Sequence, residues 1–282
     1  MDVSGRAPFS ALRLALRVVA GTTMAFLMLP LAIVFPISFS SSSSLQFPPP
    51  GWSLRWYRAY LDDPIWIEAT LRSLGIAVAT AILATVLGLM LAFALVRGRF
   101  PGRALANQIA TAPLVVPTIV HAVAIYGLFA WLKLIGQWQG VVLGHVVHAL
   151  PLVVLVVGAA LRTVDADLER AALGLGAGRW TAIRRVTLPQ IRPAIVSSAF
   201  LSFITSFDEL VIAMFLGGSN WTLPKKMFDN IQLEIEPTVA AVSVLQICLV
   251  ALVLALAARF GAGALPASAA PGSATRPQTG TA

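Results

Sequence analysis

The sequence predicts an all-α polytopic membrane protein, and three observations carry that expectation. Only 11% of the residues are charged, against about a quarter in soluble domains. Hydrophobic residues make up 58% of the chain, and the mean hydropathy is +0.84. Six apolar runs, about 18–38, 73–96, 106–130, 140–161, 194–216 and 238–258, approach the roughly 20 residues a helix needs to cross a bilayer core.

The first run follows Arg6, Arg13 and Arg17. It is too long for a signal-peptide core, and no small-residue cleavage site precedes Ser40–Ser44, so a retained anchor behind a tail over 1–17 is expected. The loop that follows reads "SSSSSLQFPPPGWSLRWYRAYLDDP". Its serines and three prolines predict an extended linker. Ser53 then caps a short helix whose Trp56, Tyr57 and Tyr60 suit the membrane interface; a substrate cage built from these aromatics is the rival reading.

Arg97, Arg99 and Arg103, with Gly98, Pro101 and Gly102, make the next connection a short basic turn. In the fourth run His145 and His148 stand three apart, a spacing that suits a metal, but no acidic or cysteine ligand is near in sequence and helix packing is the expected role, as it is for His121. Cys248 stands alone in the last run, which excludes a disulfide framework and predicts a small core residue. The membrane-spanning body therefore covers 18–260, and 261–282, made of Ala, Gly, Pro and Ser with little else, is expected to be disordered.

Charge fixes the expected orientation. With the N-terminus in the cytoplasm, the cytoplasmic segments are the N-terminal tail, 97–105, 162–193 and the C-terminal tail, and they hold 14 of the 20 Lys and Arg residues. The positive-inside rule places both termini there. The net charge of +8 thus reflects topology and calls for no nucleic acid.

The basic, glycine-rich stretch "ERAALGLGAGRWTAIRRVTLPQIRP", residues 169–193, carries the most information. A phosphate loop needs a lysine and a hydroxyl after its last glycine, but Arg179 and Trp180 follow Gly178. A dinucleotide fingerprint fails as well, because position 179 is arginine. Ala171, Ala172, Gly174, Gly176, Ala177 and Gly178 instead form a small-residue surface that lets another backbone approach, which favours protein docking over lipid binding.

At these residues the chain resembles the permease subunits of ABC transporters. Their cytoplasmic loop has the pattern EAA, three residues, Gly, nine residues, Ile, one residue, Leu-Pro. Here Arg170-Ala171-Ala172, Gly176, Val186 and Leu188-Pro189 keep every spacing, with Arg170 in place of Glu and Val186 in place of Ile. Glu169 is the neighbouring candidate for the acidic function, on a helix face turned by about 100°. The resemblance implies a coupling helix, Ala171 to Trp180, seated in a groove of a partner ATPase, with Leu188-Pro189 at the turn back to the membrane. Glu169, Arg170, Ala171, Ala172, Gly174, Gly176, Ala177, Trp180, Leu188 and Pro189 are its implied docking residues.

The fifth run is expected to start near Pro193. Ser198, Ser202, Thr205 and Glu209 follow at spacings of four, three and four, which puts them on one helical face, flanked by Ser206 and Asp208. Asp208 lies roughly 22 Å along the helix from Pro193. A carboxylate at that depth costs at least about 2.5 kcal/mol unless it faces water, a partner or a cation. Ser198, Ser202, Thr205, Asp208 and Glu209 are therefore the candidate solute pathway, suited to a cation.

Resemblance narrows the cargo. "SFITSFDELVIAMFLGGSNWTLPKKMF", "FPPPGWSLRWYRAYL" and "GHVVHALPLVV" are similar to the corresponding regions of spermidine/putrescine-type permeases. This implies a multi-pass subunit of the bacterial inner membrane that catalyses no reaction. Its implied partners are a second permease, two copies of a cytoplasmic ATPase and a periplasmic solute-binding protein. No cofactor is expected on this chain, ATP and magnesium being held by the ATPase. A permease for an opine-like, amino-acid-derived or anionic solute, and an ATP-independent carrier, are the alternatives.

Overall fold

The computed structural model describes residues 8–233 and 236–261. The expected tail beyond Gly261 lies outside these residues. The described chain is helical almost throughout, and its only β-type pairing is an isolated bridge between Ser40 and Trp52. The helices are α1 (Pro8–Ser38), α2 (Arg55–Asp62), α3 (Pro64–Arg97), α4 (Arg103–Thr111), α5 (Thr118–Trp131), α6 (Trp138–Thr163), α7 (Ala166–Gly174), α8 (Arg179–Ala182), α9 (Leu188–Phe207), α10 (Val211–Leu216), α11 (Leu223–Leu233) and α12 (Thr238–Gly261). Four helices are long and apolar enough to cross a membrane, or up to five if the bent α4–α5 pair counts as one span.

Two of the six expected runs are not continuous helices. The 106–130 run breaks between α4 and α5 with a bend of 109°. Pro113 and Pro117 cause it: each lacks an N–H, and each disfavours helix in the residue before it. A 3-10 turn at Ala112–Leu114 carries the chain through the corner. The 194–216 run breaks at Asp208–Leu210, between α9 and α10. At 20 residues α9 is long enough to span, but Gln190 and Arg192 lower the hydropathy of its first turns. It also starts earlier than expected: Pro189 is its first-turn proline, and Pro193 sits inside the helix.

The core is the α3–α6 seam. Ala84, Gly88 and Ala92 of α3 recur every four residues and let α6 approach closely. Val153, Val157 and Leu161 of α6 are fully buried, as are Ile212 and Leu216 of α10. A Cβ on Gly88 would stand 2.6 Å from Val153 Cβ, so only glycine fits there. In contrast, α1 has none of its apolar window buried.

The loop before α2 is not an extended linker. Ser41 N–H bonds Gly51 O at 3.0 Å and Ser53 N–H bonds Phe39 O at 2.7 Å, folding the segment back on itself. Serine hydroxyls close the turn locally: Ser42 N–H bonds Ser40 Oγ and Ser44 N–H bonds Ser42 Oγ. Ser53 does accept from Arg55 N–H at the start of α2. Trp56 and Tyr60 point inward and are buried, and the Tyr60 and Thr70 hydroxyls are hydrogen-bonded at 2.8 Å. Cys248 is exposed on α12, not in the core, because an apolar residue in a membrane span can face lipid as well as protein.

Candidate functional site

Two regions hold the residues singled out by sequence. They sit at the two ends of α9.

The first is the α7–α8 corner. Asp165 caps α7, its Oδ1 accepting from Asp167 N–H at 2.9 Å. The helix therefore begins at Ala166, five residues before the expected Ala171, and ends at Gly174 rather than continuing to Trp180. The stop is a glycine-dependent one. Gly176 has φ +88°, its N–H bonds Leu173 O at 3.0 Å, and Ala177 N–H bonds Ala172 O at 3.1 Å. This pair of bonds is the Schellman motif, whose left-handed residue is most often glycine. The spacing of Ala172 and Gly176 thus has a backbone reason.

From Arg179 the helical path continues through α8, a π-turn at Ile183–Thr187 and into α9. Leu188 and Pro189 lie inside this path and do not mark a turn. Ala171, Gly174, Gly176 and Trp180 are exposed, and Ala172 and Ala177 are half-buried. Leu168, Leu173 and Leu175 are exposed beside them, with Leu175 at 90%. The corner therefore offers bulky apolar side chains as well as the small ones, which spacing alone did not suggest.

Glu169 and Arg170 face opposite ways. Arg170 is exposed and paired with Asp167, three residues earlier on the same helix. Glu169 turns inward, and its Oε1 accepts from Thr187 Oγ1 at 2.6 Å. Arg97 Nη2 stands 3.7 Å from the same carboxylate oxygen and donates to Val164 O at 2.9 Å.

The second region is the break between α9 and α10. Ser198 and Ser202 are fully buried, and their hydroxyls donate to Ile195 O and Ser198 O of their own helix. Ser206 continues this buried stripe and bonds His145 Nδ1 at 2.8 Å, so His145 is a packing residue between α6 and α9. Among the described residues no group of three or more His, Cys, Asp or Glu side chains is placed to hold a metal. Thr205 is half-buried, off the stripe.

The two carboxylates separate. Glu209 is buried, and its Oε2 accepts from Ile212 N–H at 2.9 Å, capping α10. Asp208 is exposed and accepts from Gln246 Nε2 of α12 at 3.3 Å. Of the five pathway candidates, only Thr205 and Asp208 have part of their surface open. Thr187, Arg97 and Gln246 were missed by sequence reasoning. Gln246, polar inside an apolar run, carried a signal; Thr187 and Arg97 meet Glu169 only through tertiary folding.

A groove of about 1380 Å³ lies elsewhere, along the first half of α3 beside Gly136, Trp138 and Asn220.

Comparison with known proteins agrees with this architecture. The chain is 36% identical over 228 residues to the putrescine transport system permease protein PotI of Escherichia coli K12, covering 78% of this chain and 81% of that protein. It is 31% identical over 239 residues to the spermidine/putrescine permease PotC of the same organism, covering 84% and 89%. Among solved structures, a bacterial ABC transporter that imports alginate matches with a TM-score of 0.70 at 19% identity, over 92% of this chain and 99% of that one. The methionine transporter MetNI matches at 0.62 and 21% identity, over 72% and 97%. The profile of the binding-protein-dependent transport system inner membrane component family matches residues 84–265, and the chain belongs to that family: it is a multi-pass inner-membrane transport component, not an enzyme.

Proposed function

We propose that this chain is the permease subunit of an ATP-driven importer for a small cationic solute, a polyamine such as putrescine or spermidine. The α4–α5 and α9–α10 pairs each complete one crossing, giving six spans with both termini in the cytoplasm. The subunit pairs with a second permease over two copies of a cytoplasmic ATPase, and a periplasmic binding protein delivers the solute. ATP and magnesium belong to the ATPase.

The observation that carries this reading is the α7–α8 corner. Its Schellman stop at Gly176 leaves Leu175 and Trp180 projecting, and the helical path from Arg179 leads directly into α9. A partner that seats on the corner moves α9 without an intervening flexible loop. The far end of α9 is Phe207, next to Asp208. Docking and pathway are thus joined by one helix. Ser198, Ser202 and Glu209 back that pathway from inside the bundle, and Thr205 and Asp208 are its open members.

Asp208 and the likeness to PotI and PotC support a cationic cargo. A carboxylate at the end of a span stabilises a passing ammonium group. The test is uptake of labelled putrescine and spermidine by membranes containing the whole assembly. Asp208→Asn is expected to lower the rate or apparent affinity about tenfold, while a neutral or anionic solute is unaffected. Unaltered polyamine uptake by Asp208→Asn would remove the electrostatic argument for the cargo.

A further inference from the structure

We propose that Glu169, Thr187 and Arg97 form an internal strut that transmits movement of α7 to the membrane-spanning helices, so that Glu169 acts within this chain and not on the ATPase. The inference rests on the permease reading above and assigns a positioning role to these three side chains.

Glu169 is the only side chain of α7 with a hydrogen bond to another element among the described residues. No residue of α7 is buried, so the helix has little apolar anchorage of its own. Thr187, its partner across 18 residues of sequence, is fully buried at the last position of the π-turn that leads into α9. A π-turn interrupts regular helical bonding and is frequent at functional sites. It ends on the residue that holds Glu169.

Arg97 closes the arrangement from the other side. It is the last residue of α3, and it bonds Val164 O just past the end of α6 while facing the Glu169 carboxylate. The side chains of Arg97 and Glu169 are only 26% and 22% exposed, so bulk water screens them less than it screens Arg170 and Asp167, at 70% and 71%. The ends of α3, α6 and α9 thus converge on one carboxylate of α7. A displacement of α7 reaches α9 through the charge-assisted Thr187–Glu169 bond, α3 through the 3.7 Å ion pair of Glu169 with Arg97, and α6 through the bond from Arg97 to Val164 O.

The experiment uses the complete assembly in liposomes, with solute-loaded binding protein, and measures solute moved per ATP hydrolysed, basal ATP hydrolysis and ATPase recovered with the permease. Glu169→Ala and Thr187→Val should each lower solute moved per ATP roughly fivefold or more, a coupling loss of ordinary size, with ATPase recovery unchanged. The double variant should be no worse than either single one, because both remove the same bond. Thr187→Ser, which keeps the hydroxyl, should restore coupling. Glu169→Gln keeps side-chain volume and an acceptor for Thr187, and so reports even if Glu169→Ala is not recovered from membranes; a partial loss is expected.

Wild-type coupling in Thr187→Val or in Glu169→Gln and Glu169→Ala together overturns the strut. Loss of ATPase recovery in Glu169→Ala with normal coupling in Thr187→Val also overturns it and makes Glu169 a docking residue. If the wild-type assembly moves solute without ATP, the permease reading itself fails, and the strut with it.

Discussion

The Glu169 carboxylate accepts a hydrogen bond from the Thr187 hydroxyl at 2.6 Å, while its neighbour Arg170 points into solvent against Asp167. Adjacent residues of one motif therefore do different work. Exposed ion pairs contribute about 0–1 kcal/mol, so Arg170→Glu should change the stability of the detergent-purified protein by less than about 1 kcal/mol. Thermal unfolding measures this. A loss above about 2 kcal/mol would mean that Arg170 is not the exposed residue described.

The acidic pair at the α9–α10 break should separate in the same way. Glu209 caps α10, so Glu209→Ala is expected to cost about 0.5–2 kcal/mol, the usual value of a lost cap. Glu209→Gln retains an acceptor and should cost less. Asp208→Asn should leave the melting temperature unchanged, since Asp208 is exposed. Melting curves of the three variants decide it, and equal destabilisation of all three would contradict the assigned roles.

Glycines on α3 offer a direct test of packing. A Cβ at Gly88 would meet Val153 at 2.6 Å, whereas one at Gly75 meets nothing within 4 Å. Gly88→Ala should destabilise by about 1–3 kcal/mol through overpacking. Gly75→Ala should be neutral or stabilising by up to about 1 kcal/mol. Unfolding of the two purified variants, compared side by side, checks the α3–α6 seam.

The His145–Ser206 bond links α6 to α9 inside the bundle. Ser206→Ala leaves the buried His145 Nδ1 without its partner, and the expected cost is about 1–3 kcal/mol. Replacing both residues, His145→Phe with Ser206→Ala, should cost less than the sum of the two single changes. Additive losses would indicate that the two groups are not bonded.

Much of this architecture was legible from sequence, because apolar runs of span length and basic loops follow from the bilayer itself. The α7–α8 corner was legible only as a glycine-rich stretch: the expected helix over Ala171 to Trp180 runs across Gly176, whose left-handed backbone stops α7, and the expected turn at Leu188-Pro189 is helical. Helix boundaries were less so. The proline breaks at Pro113 and Pro117 were present in the sequence but were hidden by the surrounding hydropathy. The break at Asp208 has no proline or glycine, and arises because a buried glutamate caps the next helix. Ser198 and Ser202 lie on the predicted face, yet that face turns toward this chain's own bundle; periodicity gives a face but not its neighbour. Partners such as Thr187 and Arg97 are set by tertiary contact, which no local pattern encodes.

The central claim, that the α7–α8 corner couples this permease to ATP, is tested most directly by Gly176→Leu in the reconstituted assembly. Gly176 has φ +88° and open space around its Cα, so a leucine there strains the Schellman stop and obstructs a docking surface without clashing inside the chain. Polyamine-loaded binding protein should stimulate ATP hydrolysis and uptake in the wild-type assembly, and Gly176→Leu should abolish both while the permease remains folded. Undiminished, ATP-dependent uptake by Gly176→Leu would contradict the account.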